Sequence, residues 1–446
     1  MTDSHPGVGT LPALDDSHLV DYLCAQRWFA GTTRELVGAA PIDVVPIGDG
    51  MAIALVEVHF RTGTRDLYQL LVDEHSGEAL DLAQTAELAR RLTRLSAFNE
   101  TLDTADGHLL GRSIRPLVDT ETAEAHALDA DQSNSSMVVG DVMLKTYRRI
   151  EAGVNPELEM LLFFAEHGFD RVPGLVGWYA YEGAHIDATL GVMQCFVSDV
   201  TDGWQLALDE VPHAPNEYLD RLDRLGAIVG TMHQVLASDL DDAAFAPEDS
   251  APDGTALLVA RVDEEIDRLF DEFSDREELA PLVGRRDDAH AQVGALASAL
   301  APARTIRTHG DLHLGQVLWT GDDWLVIDFE GEPTRPASSR RQKALPLRDV
   351  AGLLRSIGYL VSTLTRQDRP APDGWERDAR ERLLAGYRSA APASLLPATD
   401  EARARQLALF ELEKAFYEVR YELDHRPDWV GIPVQSILDV LERGVS

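Results

Sequence analysis

Residues 308–319, THGDLHLGQVLW, set His309, Asp311, His313 and Gln316 among apolar neighbours, and Asp328 follows in the apolar run WLVIDFE. Phosphoryl transfer from a nucleotide needs little covalent chemistry from the protein. It needs a carboxylate beside the attacking hydroxyl and oxygen ligands for the divalent cation on the phosphates. Asp311 stands five positions before Gln316, the interval between a catalytic-loop aspartate and its amide metal ligand. Asp328, expected at a strand end, is a second oxygen donor. A buried polar network tying loop to strand is the competing reading, and only the three residues together favour chemistry over it. His309 is expected to hold the loop through the backbone. A His309–His313 metal pair is disfavoured, because magnesium prefers oxygen ligands.

Lys145 is the candidate phosphate contact, since a strand fixes its direction and its ammonium is a compact charge. The helix after it carries Glu157 and Glu159. Glu159 is favoured to orient the lysine, because Glu157 lies nearer the helix start and suits a first-turn acid. DQSNSS, residues 131–136, stands where a phosphate-cradling loop would precede the lysine hairpin, which makes Ser133 and Ser135 nucleotide candidates. Gln194 and Val197, in MQCFVSD, fall where an adenine-side connector would use backbone groups.

The elements that must position these residues follow from pattern. SSMVVGDVMLKTYRR reads as a hairpin turning at Gly140-Asp141. NPELEMLLFFAEHG reads as a helix with Asn155 as N-cap and Pro156 in its first turn. LVGWYAYEG and TLGVMQCFVSD form a further strand pair. Long helices follow over 216–238, 254–275 and 285–300, then around 347–366 and 403–425. The first hundred residues form their own module, a short helix at LVDYLCAQRWFA and strands at IDVVPI, MAIALVEVHF and DLYQLLVD. The fold class is therefore α+β. The expected boundaries are a separate N-terminal module over 1–100, a β-rich lobe over 101–199 and a helical lobe over 200–446, with a connecting strand near 193–199.

The 446 residues exceed one ordinary core. A hydrophobic share of 45% is ordinary for a globular chain and argues against disorder. The formal net charge of -36 argues against nucleic-acid and anionic-membrane partners. A nucleotide is also an anion, so local basic groups and divalent cations must offset that field. Cys24 and Cys195 are too few for a disulfide framework or a zinc site. No run of ~20 apolar residues occurs and the N-terminus lacks a signal pattern, so a cytoplasmic location is the default expectation.

QSNSS, Lys145, NPELE, HGDLHLGQVLW, VIDFEGEP, PLRDVAGLLRS and YEVRYELDHRPDW together resemble the actinobacterial maltokinase-like and glucosamine kinase branch of the aminoglycoside phosphotransferase, eukaryotic-like kinase superfamily. QRWFAG is similar to the start of that branch's N-terminal cap. The resemblance implies a bilobal protein-kinase-like fold with a cap subdomain, ATP and Mg2+ as cosubstrates, and a sugar hydroxyl as acceptor. It makes Asp311 the catalytic base or hydroxyl-orienting group, Gln316 and Asp328 the magnesium ligands and Lys145 the phosphate anchor. Glu330 replaces the glycine of the protein-kinase Asp-Phe-Gly motif, which argues against a protein kinase. Arg348 and Asp349 are expected to brace the loop.

For the acceptor, the helix at 403–425 gathers Leu409, Leu412, Phe416, Val419 and Leu423 on one face. Glu411, Glu418 and Glu422 lie on another, a carboxylate wall suited to a protonated amino sugar, against the plainer reading of a solvated acidic face. Asp424, Arg426 and Trp429 complete the expected sugar site, with the indole stacking on a sugar face. Glucosamine, phosphorylated at its 6-hydroxyl, is favoured over maltose. An aminoglycoside acceptor and a non-catalytic pseudokinase are the weaker alternatives.

Overall fold

The structure, a computed structural model, describes residues 15–26, 28–29, 34–80, 86–104, 106–116, 122–128, 134–250, 252–273, 275–298, 300, 303–332 and 335–443. It divides into two compact units, one of residues 1–166 and 173–198 and one of residues 167–172 and 199–446.

The first unit opens with α1 (Asp16–Ala25), capped by Asp15, whose carboxylate accepts from His18 N at 2.9 Å. A four-stranded antiparallel sheet follows, from β1 (Leu36–Gly48), β2 (Met51–Phe60) and β3 (Arg65–Asp73). Residues 51–56 of β2 are all buried, the mark of a strand covered on both faces. Leu19 and Leu23 of α1 join Phe29, Phe60 and Tyr68 in the core on one side.

After α2 (Ala86–Ala97) comes a second, seven-stranded sheet. Its members are β4 (Thr101–Asp103), β5 (Gly107–Ser113), β6 (Ala125–Ala127), β7 (Asn134–Val139), β8 (Val142–Tyr147), β10 (Leu175–Gly183) and β11 (Asp187–Cys195), in the order β4-β5-β10-β11-β8-β7-β6. The β7–β8 hairpin turns at Gly140, whose φ of 62° suits glycine. Between β8 and β10 lie β9 (Arg149–Ile150), which extends the first sheet by pairing with β3, and α3 (Pro156–His167). Gln69 links the sheets, its amide nitrogen donating to Tyr147 O and Leu190 O at 2.6 Å each.

The second unit is mostly helical. It contains β12 (Thr201–Asp202), α4 (Gly203–Glu210), α5 (Pro215–Leu236), β13 (Glu248–Asp249), α6 (Pro252–Glu272), α7 (Arg286–Ser298) and β14 (Arg304–Thr305). Then come β15 (Val317–Trp319), β16 (Trp324–Val326), α8 (Ala337–Arg340), α9 (Leu347–Arg366), α10 (Trp375–Ala390), α11 (Asp400–His425) and α12 (Gly431–Arg443). The segment carrying Asp311 connects β14 to β15, and β15, β16 and β12 form a small antiparallel sheet beneath it. No described helix is long and apolar enough to cross a membrane. The helices expected around 347–366 and 403–425 are α9 and α11, while α10 and α12 are additions to the expected set. Trp375 and Tyr387 of α10 are buried, but between them the exposed face is crowded with charge and blurs the apolar period.

Candidate active site

The segment 307–316 is held from α9. Asp349, in the first turn of α9 and buried, accepts from His309 N at 2.8 Å, Gly310 N at 2.9 Å and the His233 ring at 3.1 Å. Gly310 takes φ of 84°, open to glycine at little cost. One helical turn on, a Cβ at Gly352 would meet Leu312 O at 2.3 Å, and a turn beyond that Ser356 Oγ accepts from Leu314 N at 3.1 Å. Positions 349, 352 and 356 share a helix face, so one face of α9 sets the backbone on both sides of Asp311. His309 adds the anchor expected of it, its ring 2.9 Å from Ile327 O.

Asp311 lines a cavity of about 320 Å3 together with residues of α6, α9 and α11. Its Oδ1 accepts from Lys414 Nζ at 2.7 Å. Burial pushes the Asp311 carboxyl up, but the charges of Lys414 and His313 and the Lys414 hydrogen bond outweigh it and hold it below the usual aspartate value. The reciprocal effect raises the Lys414 ammonium against its own burial. His313 is pushed below the ordinary histidine value by burial, with Asp311 pulling the other way. Its Nδ1 accepts from Gly315 N at 3.0 Å and caps the short turn Leu314–Gln316.

That turn aims Gln316, whose Nε2 donates to Asp328 Oδ2 at 2.8 Å. Asp328 follows β16 with φ of 62°, a left-handed conformation uncommon outside glycine that aspartate adopts more readily than most residues. The amide and carboxylate expected to share a cation therefore lie within hydrogen-bond distance of each other. Carboxylate and amide oxygens, without histidine or thiolate, are the hard donor set that magnesium takes.

In the first unit, Lys145 is buried on β8, opposite Ser136 of β7 and Val192 of β11. Its Nζ pairs with Glu157 Oε2 at 3.1 Å, and the Tyr147 hydroxyl donates to the same oxygen at 2.8 Å. This corrects the expectation of Glu159. Positions two apart on a helix point about 200° away from each other, so only one of the two acids can face the strand, and Glu157 is the buried one. Asn155 does start the helix as expected, its Oδ1 accepting from Glu157 N at 2.8 Å.

Ser133 lies outside the described residues. Ser135 is a strand residue of β7 rather than part of a loop, paired with Thr146 and accepting from Arg148 Nε at 2.9 Å. Gln194 is buried in β11, its side chain donating to Pro173 O at 3.1 Å, and Val197 is half-buried just beyond the strand.

The expected sugar wall on α11 lies elsewhere. Glu411 pairs with Arg380 at 2.7 Å and Glu418 with Arg355. Glu422 is buried, accepts from Arg426 at 2.7 Å and is raised above the ordinary glutamate value, chiefly by burial. Asp424 is exposed, and the Trp429 ring lies 5.4 Å from the guanidinium carbons of both Arg366 and Arg426. None of these six residues lines the Asp311 cavity. The face of α11 that does so carries Phe410, Glu413, Lys414, Tyr417 and Arg420, roughly a third of a turn round at about 100° per residue. Glu332, Arg335 and Arg348 complete that wall, with Arg348 pairing with Glu413 at 3.0 Å. Asp349 does brace the loop, whereas Arg348 faces the cavity.

Comparison with known proteins adds to this geometry. The phosphotransferase enzyme family matches residues 124–332, and the maltokinase N-terminal cap domain matches residues 22–98. A glucosamine kinase of Mycolicibacterium smegmatis is 28% identical over 333 residues, covering 72% of this chain and 80% of the relative. One from Streptacidiphilus jiangxiensis is 28% identical over 327 residues, 70% of this chain and 72% of the relative. Among solved structures, a glucosamine kinase (crystal form B) superposes with a TM-score of 0.74 at 21% identity, covering 99% of this chain and 100% of that one. A glucosamine kinase in complex with glucosamine, ADP and inorganic phosphate gives 0.70 at 21% identity, over 98% of this chain and 100% of that one.

Proposed function

We propose that this chain, whose residues 124–332 match the phosphotransferase enzyme family, is an ATP- and Mg2+-dependent kinase that phosphorylates a sugar hydroxyl. Glucosamine is the leading acceptor, with glucosamine 6-phosphate as product. The observation that carries the reading is Asp311, kept ionised by Lys414 at 2.7 Å on the wall of a cavity sized for a small molecule. In the reaction, the acceptor oxygen bonds to the γ-phosphorus as the bridge to ADP breaks. The Asp311 carboxylate orients the hydroxyl and receives its proton.

Gln316 and Asp328 are assigned to the magnesium ion, which when bound supplies positive charge against the nucleotide's phosphates. Lys145, set by Glu157, is assigned to the phosphate chain, and the stretch from Gln194 to Val197 to the adenine side. Residues 1–100 are read as a cap subdomain, 101–199 as the nucleotide-binding lobe and 200–446 as the acceptor lobe, in a cytoplasmic protein.

Maltose, giving maltose 1-phosphate, is the second reading, and the maltokinase-type cap over residues 22–98 favours it. An assay of ADP release with Mg-ATP and glucosamine, maltose, glucose or kanamycin decides between them. Glucosamine is expected to give the highest kcat/KM. Turnover that persists in Asp311→Ala with every accepted sugar would remove the assignment.

A further inference from the structure

The Asp311 cavity is lined by five arginines and one lysine in a chain whose net charge is -36. Nearly all these cations are matched. Arg268 pairs with Glu264 at 3.1 Å and Glu265 at 3.3 Å, and Arg420 shares Glu265 at 3.3 Å. Arg335 pairs with Glu332 at 2.7 Å, Arg348 with Glu413 at 3.0 Å, and Lys414 with Asp311 at 2.7 Å. Arg261 is the exception. Among the described residues it makes no hydrogen bond or ion pair, and its Nε is buried without a partner.

Arg261 stands on the cavity wall among other charged groups. It shares the cavity-facing side of α6 with Glu264, Glu265 and Arg268, at positions i, i+3, i+4 and i+7. Arg335 and Arg348 both repel it, Glu413 and Glu332 only partly offset them, and burial together with this repulsion lowers its hold on its proton. Since Arg335 and Arg348 already match Glu332 and Glu413, these five groups together carry one positive charge in excess, within a lining of six basic and six acidic residues. Only the Nε of Arg261 is buried without a partner, so the two terminal nitrogens stay open to a ligand. Its planar fork is built to take a carboxylate or phosphate through two parallel hydrogen bonds.

We propose that the acceptor pocket recognises an anionic group carried by the sugar, a carboxylate or a phosphate, and that Arg261 is the residue that receives it. This rests on the sugar kinase reading and narrows it: the preferred acceptor is an amino sugar that bears an acid as well as the hydroxyl to be phosphorylated. Glucosamine itself fills the reacting end and leaves Arg261 unmatched.

The test compares kcat/KM with Mg-ATP for glucosamine, its 3-O-lactyl ether, which adds a carboxylate, and glucosamine 1-phosphate. The wild-type enzyme is expected to prefer at least one acidic acceptor over glucosamine by about tenfold, the value of one charge-assisted contact of about 1.4 kcal/mol. Which of the two gains identifies the acid. Arg261→Gln is expected to erase that ratio, and Arg261→Lys, which keeps the charge but not the fork, to retain only part of it. Because the readout is a ratio, general damage to the variant cancels.

Glucosamine turnover with no gain from either acid, or a ratio unchanged in both variants, overturns the proposal and leaves the kinase reading standing. No turnover on any acceptor removes both.

Discussion

Lys414 Nζ lies 2.7 Å from Asp311 Oδ1, a contact spanning 103 positions of chain that ties α11 to the loop. Burial by itself raises the carboxyl, and the lysine's charge reverses the direction. Replacing Lys414 by Met therefore leaves burial in command, and the Asp311 carboxyl rises. The acidic limb of the kcat/KM profile should move to higher pH. A profile whose acidic limb stays in place would show that Lys414 does not set the ionisation of the essential group.

Asp311→Asn keeps the shape of the side chain but removes the proton acceptor and the charge. A fall in kcat of about 10²–10⁴ is expected, with far-UV circular dichroism unchanged. Near-normal ADP release from this variant would assign the chemistry to another residue.

Glu157 and Glu159 make a paired test of the nucleotide anchor. Glu157→Gln leaves Lys145 buried beside a neutral amide, which should cost about 3 kcal/mol or more in the unfolding of the first unit and raise the KM for ATP. Glu159→Gln, from a half-buried position on another face of α3, should do much less on both counts. Equal effects in denaturant titration and in KM would mean that Lys145 does not depend on Glu157.

These residues also mark where sequence reasoning runs out. The β7–β8 hairpin, α3 and the long helices α5, α6, α9 and α11 are readable, because turn residues, caps and apolar period agree locally. The Gln316–Asp328 contact is readable too, since only the short β15–β16 hairpin separates the two residues. The face of α11 is a different problem. Its apolar stripe of Leu409, Leu412, Phe416 and Val419 is buried as expected, but charged residues flank that stripe on both sides. Nothing local distinguishes the flank holding Glu411 and Glu418, which pairs with arginines of α10 and α9, from the flank holding Glu413 and Lys414, which meets the loop. That choice is made by chain segments far away in sequence.

Asp349 predicts a dependence of stability on pH. Burial raises its carboxyl, but the bonds from His233 and Gly310 N and the neighbouring His309 hold it below the ordinary value. For a carboxyl depressed in the folded state, the stabilisation is complete above the unfolded value of about 3.9 and is lost as pH falls through the folded value. Urea denaturation of the wild type should therefore show stability falling steeply below about pH 4, and Asp349→Asn should flatten that slope. Asp349→Ala, which leaves His309 N and Gly310 N without their acceptor, should cost about 3–5 kcal/mol at neutral pH. A slope that survives in Asp349→Asn would place the acid sensitivity elsewhere.

Gly352 tests whether α9 sets the loop through contact as well as through Asp349. A methyl group there would sit 2.3 Å from Leu312 O, and because that atom is backbone, the loop or the helix has to move. Gly352→Ala should lower kcat by about 10²-fold, the scale of a displacement of about 1 Å at a reacting centre. Gly358 lies on the same helix, and its added Cβ would meet only Glu376 Oε1 at 3.6 Å, an ordinary contact. Gly358→Ala should therefore gain up to about 1 kcal/mol of stability from helix propensity and keep its turnover. If both alanines behave alike in the ADP-release assay, the approach of α9 to Leu312 does not control the position of Asp311.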